Sequence, residues 1–399
     1  MATSALPPPL YCDTTSCDLD PLVCSQDNDE WGNPFLSKRD SIITVADDDD
    51  GVSLLEKRGG KQPYTWKTAA GVFITQYSLT YRTPGAYMRN IQAGLQGIAR
   101  RWWRVRSRSC NDPAVSPQEL ERDQAPPDTS QVEHTVPAVT IARFASVVNH
   151  GRHWAPHPAG RRRSDRNGGW IELGQMTPEG PPTRTEAITN REFWENVWNN
   201  AEGLPPNLAP VTPNSPDLRR PVDRLYEALG SNTNAPHFTL LEGNINGMKG
   251  QIETFNSPMA RDRLRRYVRR ALDPGESDPA ASIESFMAPF RETRGVFQYL
   301  RSNDVVTRLD TVTAAIYTQL QFLELNIPEA RGLAAHWNEF YPYYFSQVSQ
   351  FARDWASTQI AYIREQYNAN PRAYNREKVL KQLKEIEDDI PNWKYAFED

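Results

Sequence analysis

The sequence predicts an α+β fold: a mixed, mostly helical N-terminal part with a few short strands, followed by an all-α C-terminal helical array. Three observations carry this. The run Val72-Phe-Ile-Thr-Gln-Tyr-Ser-Leu-Thr-Tyr81 is β-branched and aromatic and leads into Thr83-Pro84-Gly85, the pattern of a strand and turn. Ile316, Leu320, Leu323 and Ile327 recur at the three–four spacing of a buried helix face, as do Phe345, Val348, Phe351, Trp355 and Ile360. Loop-forming composition at 111–130, 151–190 and 204–221 separates the ordered pieces.

In chain order, residues 86–105 are expected to be helical, ending in the Arg/Trp cluster 100–106. Val132 to Val148 is apolar at mixed spacing and is expected to form one helix. A short strand is expected at Trp170-Ile-Glu-Leu173, with helices at 190–200 and 221–229. Ser257 and Pro258 have the residue types of an N-cap and first helical position, so a helix is expected from there to Leu272, before Pro274. Amphipathic stretches follow at 281–301, 303–326, 328–341, 343–369 and 372–388, with no solenoid period.

Charge divides the chain. Residues 1–58 hold 12 acidic and four basic residues, leaving 41 basic and 38 acidic residues in 59–399. The first segment has acidic runs, including Asp47-Asp48-Asp49-Asp50, and little periodicity, as in linkers. The expected organisation is an acidic, cysteine-containing leader at 1–58, a mixed α/β domain at 59–256 and a helical domain at 257–399. With 11 Trp, 16 Tyr and 14 Phe, the 399-residue chain is too aromatic to be wholly disordered. No apolar run of about 18 residues occurs, so no membrane span is expected.

Two dibasic sites in the acidic segment share one pattern, Leu36-Ser-Lys38-Arg39 and Leu55-Glu-Lys57-Arg58. Both resemble Leu-x-Lys-Arg sites cut by Kex-type processing proteases, and processing would imply secretion from a larger precursor. The first residues of the sequence do not read as a signal peptide, which leaves a cytoplasmic location as the alternative. Cys12, Cys17 and Cys24 crowd together without a nearby histidine, which suits a small disulfide loop better than zinc; Cys110 is the remaining cysteine.

The sequence lacks GxxxxGK[ST], GxSxG and HExxH motifs, and GxGxxG after a strand, which weakens nucleotide-fuelled, dinucleotide, α/β-hydrolase and zincin readings. Two segments carry candidate chemistry. One is Glu133-His134 together with Asn246-Gly-Met-Lys249-Gly250. Metal-dependent HNH-type nucleases place a carboxylate beside a histidine and follow them with Asn-x-x-Lys. On that pattern Glu133 and Lys249 would flank a divalent cation, Mg²⁺ or Mn²⁺. His134 would be the general base and Asn246 would orient it. The other reading makes these residues an ordinary loop and turn. The second segment is His150-Gly-Arg-His153-Trp-Ala-Pro-His157, followed by Arg161, Arg162 and Arg163, and it is expected to be a basic surface loop. With Arg100, Arg101 and Arg104 beside Trp102 and Trp103, these arginines are candidate contacts for nucleic acid or another anionic polymer. A third basic cluster spans Arg261 to Arg270.

Cys17-Asp-Leu-Asp-Pro-Leu-Val-Cys24, the Lys57-Arg58 site, Val132-Glu-His134, Leu229-Gly-Ser-Asn232 and Leu241-Glu-Gly-Asn-Ile-Asn-Gly-Met-Lys249-Gly250 together resemble the Kex-processed region downstream of the catalytic domain in fungal killer-toxin-like chitinases. The resemblance covers roughly 10–370 and implies secretion and an antagonistic or wall-directed role. The DxxDxDxE motif of family-18 chitinases is not present. Similar sequences continue Glu-His with a further carboxylate, where this chain has Pro137. The expected function is therefore a secreted toxin-like protein with a divergent nuclease centre. The alternative is a non-enzymatic interaction protein with a degenerate site, docking a protein partner through its helical half.

Overall fold

In the computed structural model, the described residues are 61–81, 84, 87, 101–105, 115–119, 130–156, 176–177 and 180–398. The fold is α+β, with short strands preceding a helical C-terminal part. The expected strand at 170–173 lies outside the described residues.

Strands β1 (Pro63–Lys67) and β2 (Phe73–Tyr77) form an antiparallel hairpin. Its turn uses Gly71 at φ 86°, a conformation that costs glycine little, and Val72 N–H donates to the Thr68 hydroxyl at 3.0 Å. Alternation puts Trp66, Ile74 and Gln76 inside. The indoles of Trp66 and Trp198 both donate to Gln76 Oε1, at 3.3 and 3.1 Å, so this buried amide is satisfied by the aromatic wall around it.

The second sheet holds the candidate site. Its strands are β3 (Arg101–Val105), β4 (Val115–Glu119), β5 (Ser130–His134) and β8 (Phe238–Glu242), in the order β4-β3-β8-β5, with β3 and β8 parallel and the other pairs antiparallel. A small pair, β6 (Ala155–Pro156) and β7 (Met176–Thr177), stands apart. Three sequence expectations change here. The stretch 111–130, expected to be a loop, holds β4, which pairs with β3. Residues 101–105 are a strand, because Trp-Trp and Val suit a pleated surface: Trp103 is buried against Tyr299 while Arg104 is exposed. The run 132–148 is not one helix. Pairing with β8 makes 130–134 a strand, and helix α1 (Val139–His150) begins only after Pro137, which disfavours a helical residue before it.

Helix α1 is buried along nearly its whole length, and Gly151 ends it at φ 62°. A Cβ there would lie 2.8 Å from that of Ala187. The helix expected at 190–200 is a π-helical turn, Phe193–Trp198, and α2 (Pro221–Leu229) follows. Directly after β8 comes α3 (Gly243–Glu253).

The C-terminal array consists of α4 (Arg261–Leu272), α5 (Pro279–Leu300), α6 (Asn303–Asn326), α7 (Leu333–Ala369) and α8 (Arg376–Asp389). Helix α4 starts at Arg261 rather than at Ser257-Pro258; the Met259 carbonyl accepts from Trp355 Nε1 instead of entering the helix. The stretches 328–341 and 343–369 are largely one helix, with Pro342 inside α7. Asp278 caps α5 by accepting from Ala281 N–H at 2.9 Å. Along α6, Val305, Leu309, Val312, Ile316, Leu320 and Leu323 form the inward stripe. One continuous apolar cluster runs from Trp66 to Tyr395 and includes residues of 59–256 and of 257–399. Among the described residues no helix is long and apolar enough to cross a membrane.

Candidate functional site around Glu133 and Lys249

Strand β5 lies at the edge of its sheet, with Glu133 opposite Thr239 and His134 opposite Phe238 on β8. Successive strand residues point to opposite faces. Gln131 and Glu133 therefore share one face, the one covered by α3. Asn246 and Lys249, three residues apart, lie on one side of that helix. The two spacings match: Asn246 Nδ2 donates to Gln131 Oε1 at 2.8 Å, and Lys249 Nζ donates to Glu133 Oε1 at 2.6 Å.

The Lys249 ammonium is fully buried and has three acceptors. Besides Glu133 these are Glu253 Oε2 at 2.9 Å, one helical turn on, and the His134 carbonyl at 3.1 Å. An ammonium has three N–H bonds to give, and each has an oxygen. Burial opposes its charge, but the carboxylates of Glu133 and Glu253 more than offset this and raise its pKa above the usual lysine value. One ammonium cannot neutralise both the buried Glu253 and the half-buried Glu133 carboxylate. Burial pushes the Glu253 carboxyl up to about 7, against the pull of Lys249 and with the repulsion of Glu133.

Further groups close around this centre. Tyr395 OH donates to Glu253 Oε1 at 2.8 Å, bringing in the C-terminal segment. The Glu253 carbonyl accepts from Tyr344 OH at 2.5 Å and from Arg143 Nη1 at 3.1 Å. Arg143, fully buried on α1, lies over the rings of Trp154, Phe255 and Tyr344. Tyr299 OH meets the Thr239 hydroxyl at 2.6 Å on the neighbouring strand.

His134 points away from all of this. Its ring packs edge-on against Tyr81 and Phe238, with centroids 4.8 and 4.5 Å away, in the small apolar cluster of Tyr87, Val132, Phe238 and Leu240 on the other face. Burial drives its pKa down to about 3, and the nearby Lys249 and His237 add to the shift, so the imidazole is neutral near pH 7 and a weak base. The structure thus brings together Glu133, Lys249 and, through Gln131, Asn246, but it points the His134 ring elsewhere.

The other candidates are dispersed. His150 Nδ1 lies 2.8 Å from the Ser146 carbonyl, and His153 Nε2 lies 3.2 Å from Glu339 Oε1. Glu339 also accepts from the Arg184 and Thr185 N–H groups, at 2.6 and 3.0 Å, so His153 belongs to a loop anchor on α7. Arg104 is exposed on β3, and Arg101 lies on the same strand. His157, Arg100, Arg161, Arg162, Arg163 and the dibasic residues Lys38, Arg39, Lys57 and Arg58 lie outside the described residues. Among the described residues no group of three or more His, Cys, Asp or Glu is placed to hold a metal ion.

Sequence reasoning did not single out Glu253, Arg143, Tyr344 or Tyr395. Glu253 had a local signal, since it follows Lys249 by four residues. The other three had none, because their partners lie 91 to 142 positions away. Comparison with models of known protein families, with curated proteins and with solved structures finds no match.

Proposed function

We propose that the chain is a non-enzymatic interaction protein whose Glu133–Lys249–Glu253 centre is structural. One observation carries this reading: the Lys249 ammonium already satisfies the oxygens among which a cation would sit. Glu133 and Glu253 are hard oxygen donors of the sort that hold Mg²⁺, but a divalent ion beside a buried ammonium would face direct charge repulsion. The donor set therefore does not fit Mg²⁺ or Mn²⁺. A nuclease base would also have to reach that ion, and His134 lies on the opposite face of β5. The chain is proposed to be secreted, on the strength of the two Leu-x-Lys-Arg sites and of the resemblance to the processed region of killer-toxin-like chitinases.

Incubation of the purified protein with plasmid and total RNA, with Mg²⁺, Mn²⁺ or chelator, tests the first part. Intact substrates throughout are expected. Metal-dependent cleavage that disappears in His134→Ala would overturn it. N-terminal sequencing of the native protein tests the second part: a mature chain beginning at Gly59 is expected, and an intact chain recovered from cell extract alone would sink it.

A further inference from the structure

Helix α4 has the sequence Arg261-Asp-Arg-Leu-Arg-Arg-Tyr-Val-Arg-Arg-Ala-Leu272. Leu264, Val268 and Ala271 are buried, and the helix lies along α5 and α7. The rest of the helix carries exposed Arg261, Arg263, Arg266, Arg269 and Arg270. Arg270 pairs with Glu276 at 2.7 Å, and Asp262 is the one acidic residue of the helix. Among the described residues Arg261, Arg266 and Arg269 form no ion pair. Solvated arginines need no partner to be stable; what calls for an explanation is their density on one 12-residue helix.

From these arginines we propose that the outer face of α4 is a docking surface for single-stranded nucleic acid. This deepens the interaction reading above and rests on it. Three features of the surface favour that partner. Positions 261, 265 and 269 form a row with steps of about 6 Å along the helix, and 266 and 270 form a second row beside it. Together they make a linear strip of guanidinium forks, whose geometry matches phosphate oxygens. Half-buried aromatic rings flank the strip: Arg263 stands 5.7 Å from the Tyr267 ring centroid and Arg265 stands 4.9 Å from that of Tyr362 on α7. Bases of any sequence stack on such rings, a contact that acidic side chains do not make. Finally, α4 lies flat on its neighbours, so it presents a ledge along which a strand can run rather than a projecting helix for a duplex groove.

The net charge of the chain, −5, does not oppose this. Salt screens charges over about 8 Å at physiological ionic strength, so an approaching phosphate feels the strip and not the acidic residues elsewhere.

The test is fluorescence anisotropy of labelled oligo(dT) with the full chain across a salt series. For four phosphate contacts, log K should fall with log salt at a slope of about −3. The variant Arg261→Glu/Arg266→Glu/Arg269→Glu should lose at least tenfold in affinity and flatten the slope to about −1. Tyr267→Ala should weaken binding about tenfold with the slope unchanged, the signature of lost stacking. The replaced arginines are exposed, and matching thermal melts would exclude unfolding as the cause. Absence of salt-dependent binding, a triple variant that binds like wild type, or equal affinity for heparin, polyglutamate or duplex DNA would overturn the proposal. Running the same samples on a gel with and without chelator separates the two ideas. A bound but cut oligonucleotide would end the non-enzymatic reading and leave the docking surface standing.

Discussion

Lys249 and Arg266 carry the same unit charge, and the fold treats them in opposite ways. Lys249 is sealed between β5 and α3 with an oxygen for every N–H, whereas Arg266 stands in solvent on α4 with no ion pair among the described residues. A buried charge is tolerated only when its partners are complete, and removing one partner strands the others. An exposed charge interacts with water and salt, and its value lies in what it attracts from outside. The buried centre accordingly reads as architecture and the α4 strip as a surface for recognition.

The sharpest way to break this comparison is to remove each charge in turn. Lys249→Met leaves Glu133 and Glu253 facing each other without a cation and should cost about 3–5 kcal/mol in denaturant unfolding. A cost under about 1 kcal/mol would mean that the centre is not structural.

The next effect is a pH dependence. The Glu253 carboxyl is raised to about 7 in the folded protein, above its ordinary value of 4.5. The native state therefore binds a proton that the unfolded chain releases. This stabilisation is complete below pH 4.5 and is lost as pH rises through about 7, amounting to about 3 kcal/mol. His134 works in the other direction: lowered from 6.5 to about 3, it makes acidification destabilising below pH 6.5. Over the interval the two share, their slopes oppose each other. Glu253→Gln, which imitates the protonated carboxyl, removes one of them. Its stability should climb from pH 4.5 to 6.5 more steeply than that of wild type, and parallel profiles in unfolding titrations would disprove the assignment.

The smallest effect belongs to the exposed side of the comparison. Arg266→Ala should change unfolding free energy by less than about 0.5 kcal/mol. The same substitution should weaken oligo(dT) binding severalfold, so that stability and binding separate at this residue.

Parts of the site were legible in the sequence. Glu133, Asn246 and Lys249 could be singled out because they are polar residues in compact motifs, and the structure brings the Glu133 and Lys249 side chains to 2.6 Å. The direction of His134 was not, because 132–148 reads as a single apolar helix unless β8 is known to pair with 130–134. Once that run is a strand, parity alone separates His134 from Glu133. Likewise RWWRV at 101–105 reads as the end of a helix until β8 and β4 flank it. Short segments with mixed periodicity take the structure that their neighbours can hydrogen-bond.

By itself the sequence determined what is encoded locally: a strand within Val72–Tyr81, the inward stripe of α6, and the arginine register of α4. Each depends on residues within one or two turns of chain. Only the tertiary structure decided that Lys249 has two carboxylates for partners, that Tyr395 reaches Glu253 across 142 positions, and that the imidazole faces an apolar cluster. The reason is physical. A side chain's charge is fixed by its chemistry, but the energy of that charge is set by the groups that packing brings around it.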